Sequence, residues 1–239
     1  MNFITKTRLR WLLWLAVVAL FVGVWRHPIS DEFTRAAGLL LFGYVWFGLL
    51  WLVWKNRAAR FTVLAITTLA TAFLLMPARS THDTAELQKG YVAGLLRYTG
   101  VRYIWGGESP RGIDCSGLVR RGLIDSLFSR GIRTLDGALV RHALWLWWND
   151  RTARELGDDR SMTAPLLETP SINALDPATV LPGDIAVTAN GSHIMAYLGD
   201  NRWIEADALA DRVLTVTVPS YNVWFGQPMK VVRWKIFTP

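Results

Sequence analysis

The 239 residues contain one cysteine, and its neighbours equip it to act as a nucleophile. The segment Asp114-Cys115-Ser116-Gly117-Leu118-Val119 follows the glycine-rich turn Gly106-Gly107-Glu108-Ser109-Pro110-Arg111-Gly112 and opens an apolar-faced helix with Asp114 as N-cap. A thiol at a helix N-terminus meets free backbone N–H groups and the positive end of the helix dipole, which favour the thiolate. The same N–H groups can receive a developing oxyanion. A free cysteine is otherwise most often a small buried hydrophobe, so a base has to be found for it. His193 qualifies by position, because it follows the turn Asn190-Gly191-Ser192 and opens the apolar run 194–198. An imidazole at a strand end beside a turn can face a cleft. Its second ring nitrogen then needs an orienting partner. Glu205, twelve residues on and on the next predicted strand, can lie beside His193 across an antiparallel pair, with Asp207 as the alternative. His27, His82 and His142 read as structural residues.

The elements that must position these groups are legible in outline. Ser80 and Asp83 look like a capping arrangement for a helix over about 83–98, striped by Leu87, Tyr91, Leu95 and Tyr98. A short apolar run at 101–105 leads into the glycine turn, and a second helix runs from 114–115 to about 128. A third helical stretch covers roughly 135–156, and 157–182 reads as loop, with four prolines. Strands are predicted at 184–188, 193–198, 202–205, 213–218 and 230–237. Helices first and an antiparallel sheet afterwards define an α+β domain.

Upstream of that domain the chain is far too apolar to be an ordinary soluble segment. Hydrophobic residues make up 51% of the sequence and there are 13 tryptophans, and the apolar excess is concentrated in the first third. The composition predicts an anchor over 1–79 with spans at about 9–26, 36–54 and 60–76, followed by a folded domain over 80–239. The net charge of +7 belongs to the anchor: residues 1–76 hold eight Lys/Arg against two Asp/Glu, and the remainder eighteen against seventeen. That distribution argues against nucleic acid as a partner and for the lipid bilayer. Lys6, Arg8 and Arg10 precede the first span, and Lys55, Arg57 and Arg60 separate the second from the third. The positive-inside bias therefore places the N-terminus in the cytoplasm and the folded domain outside it, on a multi-pass protein of the cell membrane. Val24-Trp25-Arg26-His27-Pro28 is a poor cleavage site, so the first span reads as an uncleaved anchor. One cysteine also excludes an internal disulfide.

Taken together, the motifs resemble a known family. Tyr103-Ile104-Trp105-Gly106-Gly107 followed by Gly112-Ile113-Asp114-Cys115-Ser116-Gly117-Leu118-Val119 is similar to the signature of NlpC-type, papain-like cell-wall cysteine peptidases. Leu181-Pro182-Gly183-Asp184-Ile185, Ser192-His193 and Tyr197-Leu198-Gly199-Asp200 resemble that family's second block. The resemblance implies a papain-like α+β fold and hydrolysis of amide bonds in peptidoglycan stem peptides, without cofactor or metal. It makes Cys115 the nucleophile, His193 the base and Glu205 the third polar member, puts Tyr103 near the thiol and oxyanion site, and has Asp114 and Ser116 line the substrate cleft. Three features depart from the pattern. Glu205 replaces the usual His, Asn or Gln, Met195-Ala196 replaces small residues after the histidine, and an inserted helical and loop segment over about 131–180 lengthens the Cys–His separation. Within the insertion, Trp145, Trp147 and Trp148 are read first as core; dipping into the membrane interface, covering the cleft and binding glycan are the alternatives. Two further functions compete with peptidase activity: an acyl hydrolase or transferase acting on membrane-associated substrates, and a catalytically silent envelope scaffold.

Overall fold

The computed structural model describes residues 3–78 and 83–238. Ser80, expected to take part in capping, and His82 lie outside the described residues. Three helices, α1 (Phe3–Trp25), α2 (Glu32–Val53) and α3 (Arg57–Leu75), fill the apolar third of the chain. All three are long and apolar enough to cross a bilayer, with mean hydropathies of 1.7, 2.0 and 1.7. The 22 residues of α2 rise about 33 Å, which matches a hydrocarbon core. Asp31 and Asn56 cap α2 and α3 by accepting from Thr34 N–H and Ala59 N–H.

Because the chain reverses between successive helices, the C-termini of α1 and α3 share one end with the N-terminus of α2. The opposite end carries the basic residues, with Arg10 4.4 Å over the Trp51 ring and Arg60 5.0 Å over Trp54.

The rest of the chain builds one sheet with helices on one face. The helices are α4 (Thr84–Leu96), α5 (Cys115–Thr134), α6 (Gly137–Trp148) and α7 (Ala153–Asp158). A two-stranded ribbon, β1 (Glu108–Ser109) and β2 (Gly112–Ile113), precedes α5. The sheet comprises β3 (Thr163–Thr169), β4 (Ile185–Thr188), β5 (Ile194–Gly199), β6 (Arg202–Asp207), β7 (Arg212–Thr217) and β8 (Met229–Trp234). Its order is β3-β8-β4-β5-β6-β7, antiparallel throughout. This is the α+β class that the sequence predicts. Alternation splits β5 between two cores: Ile194, Ala196 and Leu198 pack on the helices with Leu95, Leu118 and Leu123. Met195 and Tyr197 face the other way, among Trp203, Phe225 and Val231.

The structure revises the sequence reading between 128 and 182. Helix α5 continues past residue 128 to Thr134 and ends where Leu135 turns left-handed at φ 53°. The expected helix over 135–156 is two helices, because Asn149 ends α6 and Thr152 with Glu155 forms a capping box that starts α7. The expected loop contains β3, which pairs with β8 at the sheet edge. Pro165 hid it: the register shifts between Pro165 and Leu167, and an edge strand tolerates a proline there.

The insertion's tryptophans divide: Trp145 and Trp148 are exposed, whereas Trp147 is half-buried, packs against the main core and meets Trp25 of α1 at 6.1 Å between ring centres. Helix α6 thus lies across the domain-facing ends of the three apolar helices. Its Arg141 donates to the carbonyls of Leu74 and Met76, where the last turn of α3 lacks intrahelical donors.

Candidate active site

The glycine turn and α5 are held together by one carboxylate. Asp114 Oδ1 accepts from Gly117 N–H at 2.6 Å and from the Ser116 hydroxyl at 3.0 Å. Its Oδ2 accepts from Gly106 N–H at 2.8 Å, and its own N–H donates to Gly107 O at 3.0 Å. Gly106 adopts φ +72°, and a Cβ on Gly117 would collide with Gly107 O, so both positions require glycine. The side chains of Asp114 and Ser116 are therefore engaged in building the turn and remain partly exposed beside Cys115.

This scaffold sets Cys115 as the first residue of α5, with its thiol buried. Burial pushes the thiol up to about 12; the Asp114 carboxylate pushes the same way, against the N–H groups of Ser116, Ile194 and Cys115 itself. The helix start thus supplies the expected N–H groups, but desolvation outweighs them and the resting thiol is neutral. As Cys115 is the chain's one cysteine, alkylation by iodoacetamide reads this directly. The expected rate at pH 7 is below that of a free thiol and keeps rising well above pH 9; a plateau near pH 7 would disprove the neutral resting thiol.

Tyr103 is half-buried beside the thiol. Its N–H donates to Asp211 O at 3.0 Å and it bridges Ile113. Burial raises its hydroxyl's pKa, and the neighbouring acidic groups, Asp114 and Asp207 among them, push the same way, so the phenol stays protonated as a donor.

Across from α5, His193 is buried just before β5. Its N–H donates to Thr188 Oγ1 at 2.9 Å, and its carbonyl accepts from Thr188 N–H at 3.0 Å. The β5–β6 register pairs Tyr197 with Trp203, which puts Glu205 diagonally across from His193 on the same face. His193 Nε2 and Glu205 Oε2 are 2.6 Å apart. Glu205 is fully buried, which raises its pKa, while His193 and Asn222 pull it back down. Among the described residues Nδ1 has no hydrogen-bond partner, and no hydrogen bond joins Cys115 to His193. Their proximity shows in the backbone: the N–H that reaches the Cys115 sulfur belongs to Ile194, the next residue after His193.

Two residues that the sequence reading missed complete this shell. Asn222 donates to Glu205 Oε1 at 2.7 Å and to Asp207 Oδ2 at 3.2 Å. Trp224 stacks on the His193 ring at 4.2 Å and 18° and donates from Nε1 to Asp207 Oδ1 at 3.4 Å. Asp207 therefore supports Asn222 and Trp224, and the carboxylate on the imidazole is that of Glu205. The signal was the Asn222-Val223-Trp224 segment, a capped turn between two strands. Among the described residues no cluster of three or more His, Cys, Asp or Glu could hold a metal ion.

Cys115 at a helix start, the Tyr103 phenol and a histidine paired with a carboxylate are thus held on one α+β scaffold. Residues 100–136, which include Tyr103 and Asp114-Cys115-Ser116, match the model of the NlpC/P60 family. No curated protein sequence matches the chain. Among solved structures, the P60 domain of an antigen from M. avium subspecies paratuberculosis is similar at 18% identity, covering 64% of this chain and 97% of that one, with a TM-score of 0.40. The peptidoglycan hydrolase RipB from Mycobacterium tuberculosis is similar at 19% identity over 70% of this chain and 84% of its own, TM-score 0.41. NlpC2 from Trichomonas vaginalis is 20% identical over 64% of this chain and 50% of its own, TM-score 0.42.

Proposed function

We propose that this chain is a membrane-anchored cysteine peptidase or amidase that hydrolyses amide bonds in peptidoglycan stem peptides. The observation that carries the reading is the buried Cys115 thiol at the start of α5, which receives the N–H of Ile194, the residue directly after the Glu205-paired His193. The match of the NlpC/P60 model around Cys115 supports the substrate class.

Glu205 accepts a hydrogen bond from Nε2–H, which leaves the Nδ1 lone pair free to act as base toward the thiol. Because the resting thiol is neutral, Nδ1 takes its proton as sulfur attacks the amide carbonyl. The oxyanion is received by the first-turn N–H groups of Cys115 and Ser116, which have no intrahelical acceptor, with Tyr103 as a further donor. The imidazolium, held by Glu205, protonates the leaving amine. Nδ1 then activates water to hydrolyse the thioester and restore the thiol.

The anchor reading draws on the three apolar helices, whose basic end faces away from the domain. With the positive-inside bias, that polarity puts the site on the outer face of the membrane, next to the wall. Digestion of purified muropeptides tests the activity. Cys115→Ala is expected to lower the rate on the order of 10⁶-fold; equal cleavage by the variant and the parent chain would sink the proposal.

A further inference from the structure

At the membrane end of the domain lies a cleft that the hydrolytic steps do not use. Two adjoining cavities open there, and Trp25, Gly38, Arg121 and Trp147 line both, so they are compartments of one space. The larger holds about 550 Å³, within the roughly 300–1,000 Å³ typical of small-molecule sites. Its walls are apolar: Phe21, Leu39 and Phe42 of the anchor face Phe128 and Leu144 of α5 and α6. An apolar space of this size does not hold water stably, and here it sits at the domain-facing end of the spans, where bilayer chains give way to headgroups.

The smaller compartment, about 140 Å³, is more polar than the larger and ends on the turn that leads to Cys115. Three arginines, Arg35, Arg111 and Arg121, line it with one acid, Glu108. Arg35 pairs with Glu108 at 3.2 Å, and Arg121 pairs with Asp125 at 2.9 Å. Arg111 is exposed and its side chain has no ion-pair partner among the described residues. The cleft is thus amphiphilic, with an apolar chamber continuous with a chamber that carries surplus positive charge.

We propose that this cleft binds an anionic phospholipid, with an acyl chain between the spans and α5–α6 and the phosphate against Arg111 and Arg121. Continuity of the two chambers selects an amphiphile over a plain hydrocarbon, and the unpaired Arg111 selects an anionic headgroup over a zwitterionic one. The bound lipid would tie the headgroup layer to the 108–111 turn and hold the catalytic face at a fixed height above the bilayer. The inference rests on α1–α3 crossing the membrane and not on which bond the site cleaves.

The test uses the full chain carrying Cys115→Ala, reconstituted in nanodiscs with phosphatidylglycerol or phosphatidylcholine bearing a photoreactive acyl chain. Labelled peptides are expected from α5 and α6 around Phe128 and Leu144, with phosphatidylglycerol favoured ~5-fold by one arginine near the headgroup. Two variants examine the two chambers separately. A Cβ at Gly38 meets nothing within 4 Å, so Gly38→Phe grows into the cleft without collision and is expected to abolish the α5–α6 label. Arg111→Glu, on the exposed turn, is expected to remove the headgroup preference. Labelling confined to the outward faces of α1–α3, equal labelling by the two lipids, or an unchanged label in Gly38→Phe would each overturn the proposal. A chain that fails to enter nanodiscs overturns it together with the anchor reading; one that enters and is unlabelled overturns the lipid site alone.

Discussion

Glu205→Gln is expected to lower kcat/KM on muropeptides by roughly 10³–10⁴-fold although it is nearly isosteric, because it forces the wrong histidine tautomer. An ionised Glu205 only accepts, so both of its contacts are satisfied: Nε2–H of His193 on one oxygen and the Asn222 amide on the other. Glutamine has one oxygen for these two donors. If that oxygen faces Asn222, the amide NH₂ points at Nε2 and makes it the acceptor, so Nδ1 carries the proton and cannot take one from Cys115. If it faces His193, two NH₂ groups oppose each other in a fully buried site, which costs roughly 1–3 kcal/mol. Asn222 is therefore what makes the glutamine substitution harmful. Removing its amide with Asn222→Ala frees the glutamine to rotate, so the double variant is expected to be at least ~10-fold faster than Glu205→Gln alone, a non-additivity of the kind a shared hydrogen-bond network produces. Steady-state hydrolysis by the parent chain, both single variants and the double variant completes the cycle. If Asn222→Ala gives no rescue, the tautomer argument fails.

That network also marks the limit of what could be read from sequence. Cys115 was legible because its helix start is written in contiguous residues: the glycine turn, the Asp114 cap and the apolar stripe behind it. Glu205 was legible because strand periodicity and a short β5–β6 connection fix which residues share a face. Asn222 and Trp224 come from a turn with no periodic pattern, and their contacts with Glu205 and His193 depend on where β7 and β8 leave that turn. The α+β class was visible, yet β3 was not, since a proline within an edge strand imitates a loop. The largest omission lay between the two parts of the chain. Ser30 N–H donates to Gly106 O at 2.8 Å and Ile29 bridges Gly107, so the α1–α2 connection pairs with the glycine turn that leads to Cys115. Hydropathy separates the anchor from the domain and hides this contact between them.

The same junction carries the second large effect, because a charge from the apolar helix α2 is buried against the domain. Arg35 of α2 and Arg120 of α5 both contact Glu108, at 3.2 and 3.0 Å, and both also pair with Asp150. Arg35, Arg120 and Glu108 are almost wholly buried, so each partner makes the others tolerable. Desolvation nevertheless dominates and lifts Glu108 to about 7, against the pull of Arg120 and then Arg35. The sign follows directly. A carboxyl whose folded pKa lies above its ordinary value binds protons more readily in the folded state, so stability falls as pH rises from about 4.5 to about 7. Relative to Glu108→Gln, which cannot titrate, the parent chain is expected to lose on the order of 3 kcal/mol across that window and then level off. Arg35→Met removes one of the cations that hold the pKa down, so the fall should extend above pH 7 and grow steeper there. Thermal unfolding of the three proteins in detergent at pH 5, 7 and 8.5 measures both effects. Parallel stability curves for the parent and Glu108→Gln would mean that Glu108 does not titrate on unfolding. A curve for Arg35→Met that parallels the parent would mean that α2 does not hold Glu108. If both effects appear, the anchor is bonded into the frame of the catalytic turn: Glu108 follows Gly107 directly, and Gly107 O is the acceptor for the amide of Asp114 that caps the cysteine helix.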